Sequence, residues 1–126
     1  MISLDEFGAI LDKVAMGIPQ ELYQKLNGGI LLLPEIKLHP ENRGNPNMYI
    51  MGQYCCSYIM GRYIEIYYGS FMQMFEHLTI DALKEELRRV LIHEFTHHIE
   101  SLAGEYGLEI KDAQQIAKYK KKYEEN

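Results

Sequence analysis

With 126 residues and a formal net charge of −5, this chain has the length of one domain, enough to bury roughly two-thirds of its unfolded surface. Its 47% hydrophobic and 25% charged residues exclude a disordered or fibrous protein, and without a sustained basic stripe it offers no footprint for nucleic acid. No apolar run approaches the roughly 18 residues of a bilayer span, and MISLDEFGAILDKV lacks a basic n-region, so a soluble cytoplasmic protein with no membrane partner is expected.

Ser3-x-x-Glu6 has the form of a capping box, and Phe7, Ile10, Leu11 and Val14 follow at helical spacing, so a first helix should end near Gly17. A short second helix is expected over residues 19–26, with Pro19 in its first turn and Asn27-Gly28-Gly29 as its stop. Residues 30–33 read as a strand that Pro34 keeps at a sheet edge. Residues 40–47, full of Pro, Gly and Asn, read as loop. The runs MYIMGQYCC and GRYIEIYYGSF read as a hairpin turning around residues 57–61. Ile64 and Ile66 alternate there with Tyr63, Glu65 and Tyr67, which suits one buried face. Cys55 and Cys56 are neighbours, poorly placed to bridge each other, and are expected to pack in the strand.

Residues 71–77 read as a short helical turn. Thr79 and Asp81 then supply an N-cap and an acidic first turn for a long helix. Leu83, Leu87, Leu91, Phe95, Ile99 and Leu102 form its apolar stripe, and Gly104 is its expected stop. Residues 110–123 read as a final helix whose basic run at 118–122 is a solvated face.

Inside the long helix stands His93-Glu94-Phe95-Thr96-His97-His98. Four residues advance a helix by about 400°, so His93 and His97 share a face and their imidazoles can converge on one metal ion. Glu94 lies about 100° round from His93 and about 60° from His97, so its carboxylate flanks that ion. The spacing H-E-x-x-H is that of a zinc hydrolase: two nitrogen ligands, and a base that takes the proton from zinc-bound water. His98 points away from the metal face and is expected to be structural or exposed. Glu100, seven residues from His93, shares its face a turn beyond His97, where a supporting contact or a solvated glutamate is expected.

The stretch LKEELRRVLIHEFTHH resembles the active helix of the small bacterial zincin-like metallopeptidases, sometimes called minimal zincins. ELYQKLNGGILLLPE and MYIMGQY…RYIEIYYGSF resemble that family's helix, strand and hairpin lead-in, so the likeness covers roughly the last hundred residues. The resemblance implies an α+β fold in one domain spanning residues 1–126, a small mixed or antiparallel sheet packed on the long helix, a Zn2+ ion and peptidase chemistry. It implies His93 and His97 as ligands and Glu94 as base. The family's pattern continues with Gly three residues after the second His and Asp three residues later, where this chain has Glu100 and Ala103.

If the helix instead runs one turn further, to Gly104, the returning chain needs roughly two more extended residues to come level with the metal. That count places the third ligand at Glu109, with Asp112 the next candidate and Glu105 too close to the glycine to fold back. Tyr67 and Tyr68 end a strand expected near the active helix, where a hydroxyl can stabilise an oxyanion, although sheet packing is the simpler role.

These readings converge on a zinc metallopeptidase acting on an accessible peptide or protein. The alternatives are a zinc amidohydrolase acting on a small amide, and a zinc-stabilised interaction protein without turnover.

Overall fold

The structure, a computed structural model, describes residues 1–41 and 48–106. The chain opens on α1 (Leu4–Met16), started by a complete capping box: the Glu6 N–H donates to Ser3 Oγ at 3.1 Å and the Ser3 N–H donates to Glu6 Oε1 at 3.3 Å. Phe7, Ile10, Leu11 and Val14 face inward, as their spacing requires.

The expected second helix is only a 3₁₀ turn, Gln20–Tyr23. Lys25 takes a left-handed φ of 65°, which ends any helical run, and one isolated turn cannot offset the cost of nucleating a longer helix. Packing holds the turn instead. Leu22 is buried, the Tyr23 hydroxyl donates to the Ala15 carbonyl at 2.6 Å, and the Tyr23 ring meets the edge of Phe95.

Three strands follow, β1 (Gly29–Leu33), β2 (Gly52–Ser57) and β3 (Gly61–Tyr67), in the spatial order β1-β3-β2. β1 runs parallel to β3, Gly29 opposite Tyr63, and Pro34 ends it at the sheet edge. β2 and β3 form the expected antiparallel hairpin, Tyr54 opposite Ile64. Gly61 leaves the hairpin turn at φ 72°, a conformation that favours glycine. β2 is therefore the other edge of the sheet.

α2 (Tyr68–Phe75) continues directly from β3, and α3 (Ile80–Tyr106) completes the described chain. The Ala82 N–H donates to Thr79 Oγ1 at 3.2 Å, the N-cap read from sequence. Gly104 does not stop α3, which runs on to Tyr106. Gly104 has no positive φ, so it sits as an interior helical glycine, tolerated at about 1 kcal/mol relative to alanine, rather than as a left-handed cap. The expected helix over residues 110–123 lies outside the described residues.

The architecture is a small α+β arrangement with a mixed three-stranded sheet. Ile64 and Ile66, both fully buried, share one cluster with Phe7 and Leu11 of α1 and Leu87, Leu91 and Phe95 of α3. Each such side chain contributes about 1.5–3 kcal/mol by its burial, so this layer fixes α3 beneath the sheet. Among the described residues no helix is long and apolar enough to cross a membrane.

One contact sets how closely β2 approaches α3. A Cβ on Gly52 would stand 2.9 Å from Val90 Cγ1 and 3.1 Å from Ile66 Cδ1, inside van der Waals contact. Gly52→Ala should therefore push the strand from the helix and destabilise the fold by about 1–3 kcal/mol. Because Val90 is the main obstacle, adding Gly52→Ala to Val90→Ala should cost far less than adding it to the native chain. Urea unfolding of the four chains measures this, and equal costs in both backgrounds would refute it.

Candidate metal centre

α3 carries two side-chain pairs one turn apart, interleaved along the same stretch. His93 and His97 are exposed, whereas Glu94 and His98 are buried, 6% and 0% accessible. The tertiary contacts of α3 cause this division: its apolar stripe faces the core, Glu94 and His98 border β2, and His93 and His97 project to solvent.

The two exposed imidazoles converge. His93 Nε2 and His97 Nε2 are 3.1 Å apart, with ring planes at 89°. Two nitrogens bound to one tetrahedral zinc at 2.0–2.1 Å would be separated by about 3.3 Å, so the observed spacing fits one edge of such a site to within a few tenths of an ångström. Thr96, between them, turns away and donates to the Ile92 carbonyl at 2.8 Å. Among the described residues no group of three His, Cys, Asp or Glu side chains converges as a metal site. The pair thus supplies two donors, and Glu94 stands beside them without joining them as a third. Glu100 is exposed. Glu109 and Asp112 lie outside the described residues, as does the side chain of Glu105.

Glu94 is buried against the edge strand. Its carboxyl is pushed above the usual carboxylate range by burial, while the neighbouring His97 and a hydrogen bond from the Tyr54 backbone N–H draw it part of the way back. Strand geometry explains that donor. The Tyr67 N–H donates to the Met51 carbonyl at 2.9 Å, so the odd-numbered residues of β2 pair with β3 and the N–H of Tyr54 points off the sheet edge. Upstream on α3, Arg88 pairs with Glu85 at 2.6 Å and Arg89 with Glu86 at 2.7 Å.

His98 has a structural place, as expected from its direction. Its Nε2 lies 2.7 Å from the Gln24 carbonyl and its Nδ1 lies 2.8 Å from the Tyr54 hydroxyl. A carbonyl only accepts, so Nε2 carries the proton and Nδ1 accepts from Tyr54. Burial holds the His98 ring below the usual imidazole range; the bond to Gln24 opposes this and the Arg62 charge reinforces it. Burial also pushes the Tyr54 hydroxyl up to about 12, so it remains a donor.

Beside these residues, two adjoining clefts of about 360 Å³ each share Ile50, Gly52, His93 and Glu94 in their walls. Together they form a groove between β2 and α3. One end reaches Val90 and Arg89, the other Tyr54 and His97.

The expectation for Tyr67 and Tyr68 is corrected by the topology. β3 is the central strand, and the strand beside the site is β2. Tyr67 is buried away from the groove, its hydroxyl accepting from Lys37 Nζ and donating to Gln53 Oε1, each at 3.2 Å. The Tyr68 hydroxyl donates to the Ile2 carbonyl. Cys55 packs in β2 as expected: its thiol donates to Glu65 Oε1 at 3.2 Å and is pushed up to about 11 by burial and by that carboxylate. Tyr54, Gly52 and Ile50 are the wall residues that the sequence did not single out. Only the glycine inside an aromatic strand run hinted at a close approach.

No family model matches the chain, and no curated protein matches it. A solved structure of a conserved hypothetical protein from T. thermophilus is similar to it, with a TM-score of 0.66 at 28% sequence identity, over 82% of this chain and 99% of that one. This likeness is one of α+β architecture, and the description of that protein assigns it no activity.

The direction of the His98 shift predicts how stability depends on pH. The unfolded chain, with an ordinary imidazole near 6.5, binds a proton more readily than the folded one. His98 therefore contributes fully above pH of about 6.5 and loses its contribution as pH falls below it. Glu94 acts with the opposite sign, since its raised carboxyl takes up a proton in the folded chain first. In metal-free protein, His98→Gln should be less stable than the native chain at pH 7.5. It should also lose less stability on acidification to pH 5.5. Urea midpoints at the two pH values test this, and parallel losses in both chains would contradict it.

Proposed function

We propose that this protein is a zinc-dependent metallopeptidase with a minimal zincin-like fold, working in the cytoplasm on accessible peptide or protein segments. The observation that carries the proposal is the convergence of His93 and His97 at 3.1 Å beside the buried carboxylate of Glu94. Two nitrogen donors and a base of raised pKa, all lining one open groove, are the parts that metal-assisted amide hydrolysis needs.

His93 and His97 would hold the ion through Nε2. The chemistry an ion held there would supply is polarisation of a substrate carbonyl and a more acidic water. Glu94 takes the proton from the attacking water and delivers it to the departing amine nitrogen, so one carboxyl serves first as base and then as acid. Burial brings its affinity for protons nearer to neutral pH, where such a relay works best. The groove along β2 orients the substrate in an extended form.

A third ligand is proposed from the segment that follows α3, with Glu109 and Asp112 as candidates. Glu109 is the first candidate and Asp112 the next; both lie outside the described residues.

Glu94→Gln should retain zinc and lose hydrolysis of fluorescein-labelled casein by about 10²–10⁴-fold, whereas His97→Ala should lose the zinc. Elemental analysis and fluorescence release read the two effects. Full turnover in Glu94→Gln would refute the proposed chemistry. Tight zinc binding with no turnover in the native chain would favour a zinc-stabilised interaction protein.

For the third ligand, Glu109→Ala is expected to lower bound zinc per chain more than Asp112→Ala. Unchanged zinc in both variants would remove these two residues from the site.

A further inference from the structure

The groove that holds His93, Glu94 and His97 continues past them. Ile50, Gly52 and Tyr54 line one wall at every second residue, and Val90, Glu94 and His97 line the other at helical spacing. The next residues in the two series, Cys56 and Ser101, line a third cleft of about 370 Å³. Ser101 lies one turn beyond His97 and about 40° from it round the helix. Charge marks this cleft. Lys25 and Arg62 both stand in its wall, in a chain whose formal net charge is −5.

We propose that this cationic cleft is a carboxylate-binding subsite, taking the C-terminal carboxylate or an acidic side chain of a peptide that lies in the groove. The identity of the ligand rests on the peptidase reading, although the cleft itself does not depend on turnover.

The fold holds both cations in place. On β3, Arg62 shares the face of Ile64 and Ile66, and it stands opposite Cys56 of β2. Its Nη1 donates to Ser101 Oγ at 3.1 Å and to Cys56 Sγ at 3.7 Å. These contacts set the guanidinium across the space between sheet and helix. Its planar fork of N–H donors matches the two oxygens of a carboxylate. Lys25 is, among the described residues, the non-glycine position with a positive φ, 65°. Bonds on either side fix that conformation. The Gln24 carbonyl accepts from the buried His98 ring at 2.7 Å, and the Gly28 N–H donates to the Arg62 carbonyl at 2.9 Å. A sparsely populated backbone conformation persists only where its surroundings hold it. Here the Gly28 bond also ties the segment bearing Lys25 to the strand bearing Arg62.

Distance from the metal donors sets the length of the ligand. The four residues from His97 to Ser101 rise about 6 Å, and two extended residues cover about 6–7 Å. A carboxylate in the cleft therefore stands roughly two or three residues from a carbonyl beside His97. When that carboxylate is C-terminal, hydrolysis puts the hydroxyl of water on the carbonyl carbon and its proton on the amine, releasing a di- or tripeptide.

Fluorescence anisotropy of the full-length Glu94→Gln chain, with zinc present, tests the cleft without turnover. Three dansyl-labelled peptides of one uncharged sequence serve as probes. The first ends in a free carboxylate, the second in an amide, and the third is the amide with a single internal glutamate. The first or the third should bind about tenfold more tightly than the second, and salt at about 0.5 M should shrink the difference. Whichever of the two binds more tightly identifies the carboxylate that the cleft takes. Adding Arg62→Gln or Lys25→Asn should remove most of the preference while bound zinc is retained; asparagine tolerates the left-handed backbone at residue 25. Where Arg62→Gln does not fold, the exposed Lys25 decides. Equal binding of all three peptides, or a preference that survives Lys25→Asn, would overturn the inference.

In the native chain the preferred peptide should have a KM about tenfold below that of the amide, with a similar kcat. A carboxylate preference in a chain that hydrolyses nothing would uphold the cleft and defeat the peptidase reading, so the two failures are distinguishable.

Discussion

Tyr54 is tied to α3 through its hydroxyl, which donates to the buried His98 ring at 2.8 Å while that ring's other nitrogen donates to the Gln24 carbonyl at 2.7 Å, and this relay sets where the edge strand stands. The groove depends on it. Its walls are β2 with the residues just before it and the side of α3 that carries Val90, His93, Glu94 and His97, and only close apposition of the two makes a cleft rather than an open corner. Gly52 permits the approach by having no side chain, and the Tyr54–His98 contact gives it a register. A strand shifted by one residue would turn the Tyr54 N–H toward β3 and carry its hydroxyl to the face away from His98.

Burial differs sharply over six residues of one helix, and the chemistry follows that difference. His93 and His97 are exposed, with their Nε2 atoms turned toward one another at 3.1 Å. Glu94 and His98 are withdrawn from water, and each responds as its charge dictates: the carboxyl is raised and the imidazole lowered. Both shifts favour the neutral form. Neither is complete, because His97 and the Tyr54 N–H favour the Glu94 anion and the Gln24 carbonyl favours a proton on His98. The helix thus carries a buried carboxyl beside two exposed imidazoles, with the spacing set by its periodicity and the burial by its packing.

The scaffold supporting this site is small. Three strands and the helices packed on one side of them leave little material for deep walls, and the clefts are correspondingly open. Such a site suits a segment that can lie along a strand edge. The similarity to the T. thermophilus protein extends over almost all of that chain, so this arrangement of elements recurs in another protein of similar size. Chemistry must be argued from the side chains, since architecture alone does not imply activity.

Local rules made much of this legible in the sequence. The capping box, the Thr79 N-cap, the alternation of Ile64 and Ile66 and the apolar stripe of α3 all depend on neighbours within a few residues, so period and propensity suffice to read them. The convergence of His93 and His97 belongs to the same class, because helical pitch fixes it. Tertiary structure decided the rest. The 3₁₀ turn at residues 20–23 and the passage of α3 through Gly104 were set by packing and backbone conformation that no short window contains. The choice of β2 as the strand beside Glu94 depended on a parallel pairing between β1 and β3, which placed the later strand of the hairpin at the centre. From its sequence alone this protein is committed to a helix with two imidazoles facing one point. Only folding brings the Tyr54 hydroxyl to the ring of His98, 44 residues along the chain, because a hydrogen bond across that separation exists only once the sheet and helix have packed.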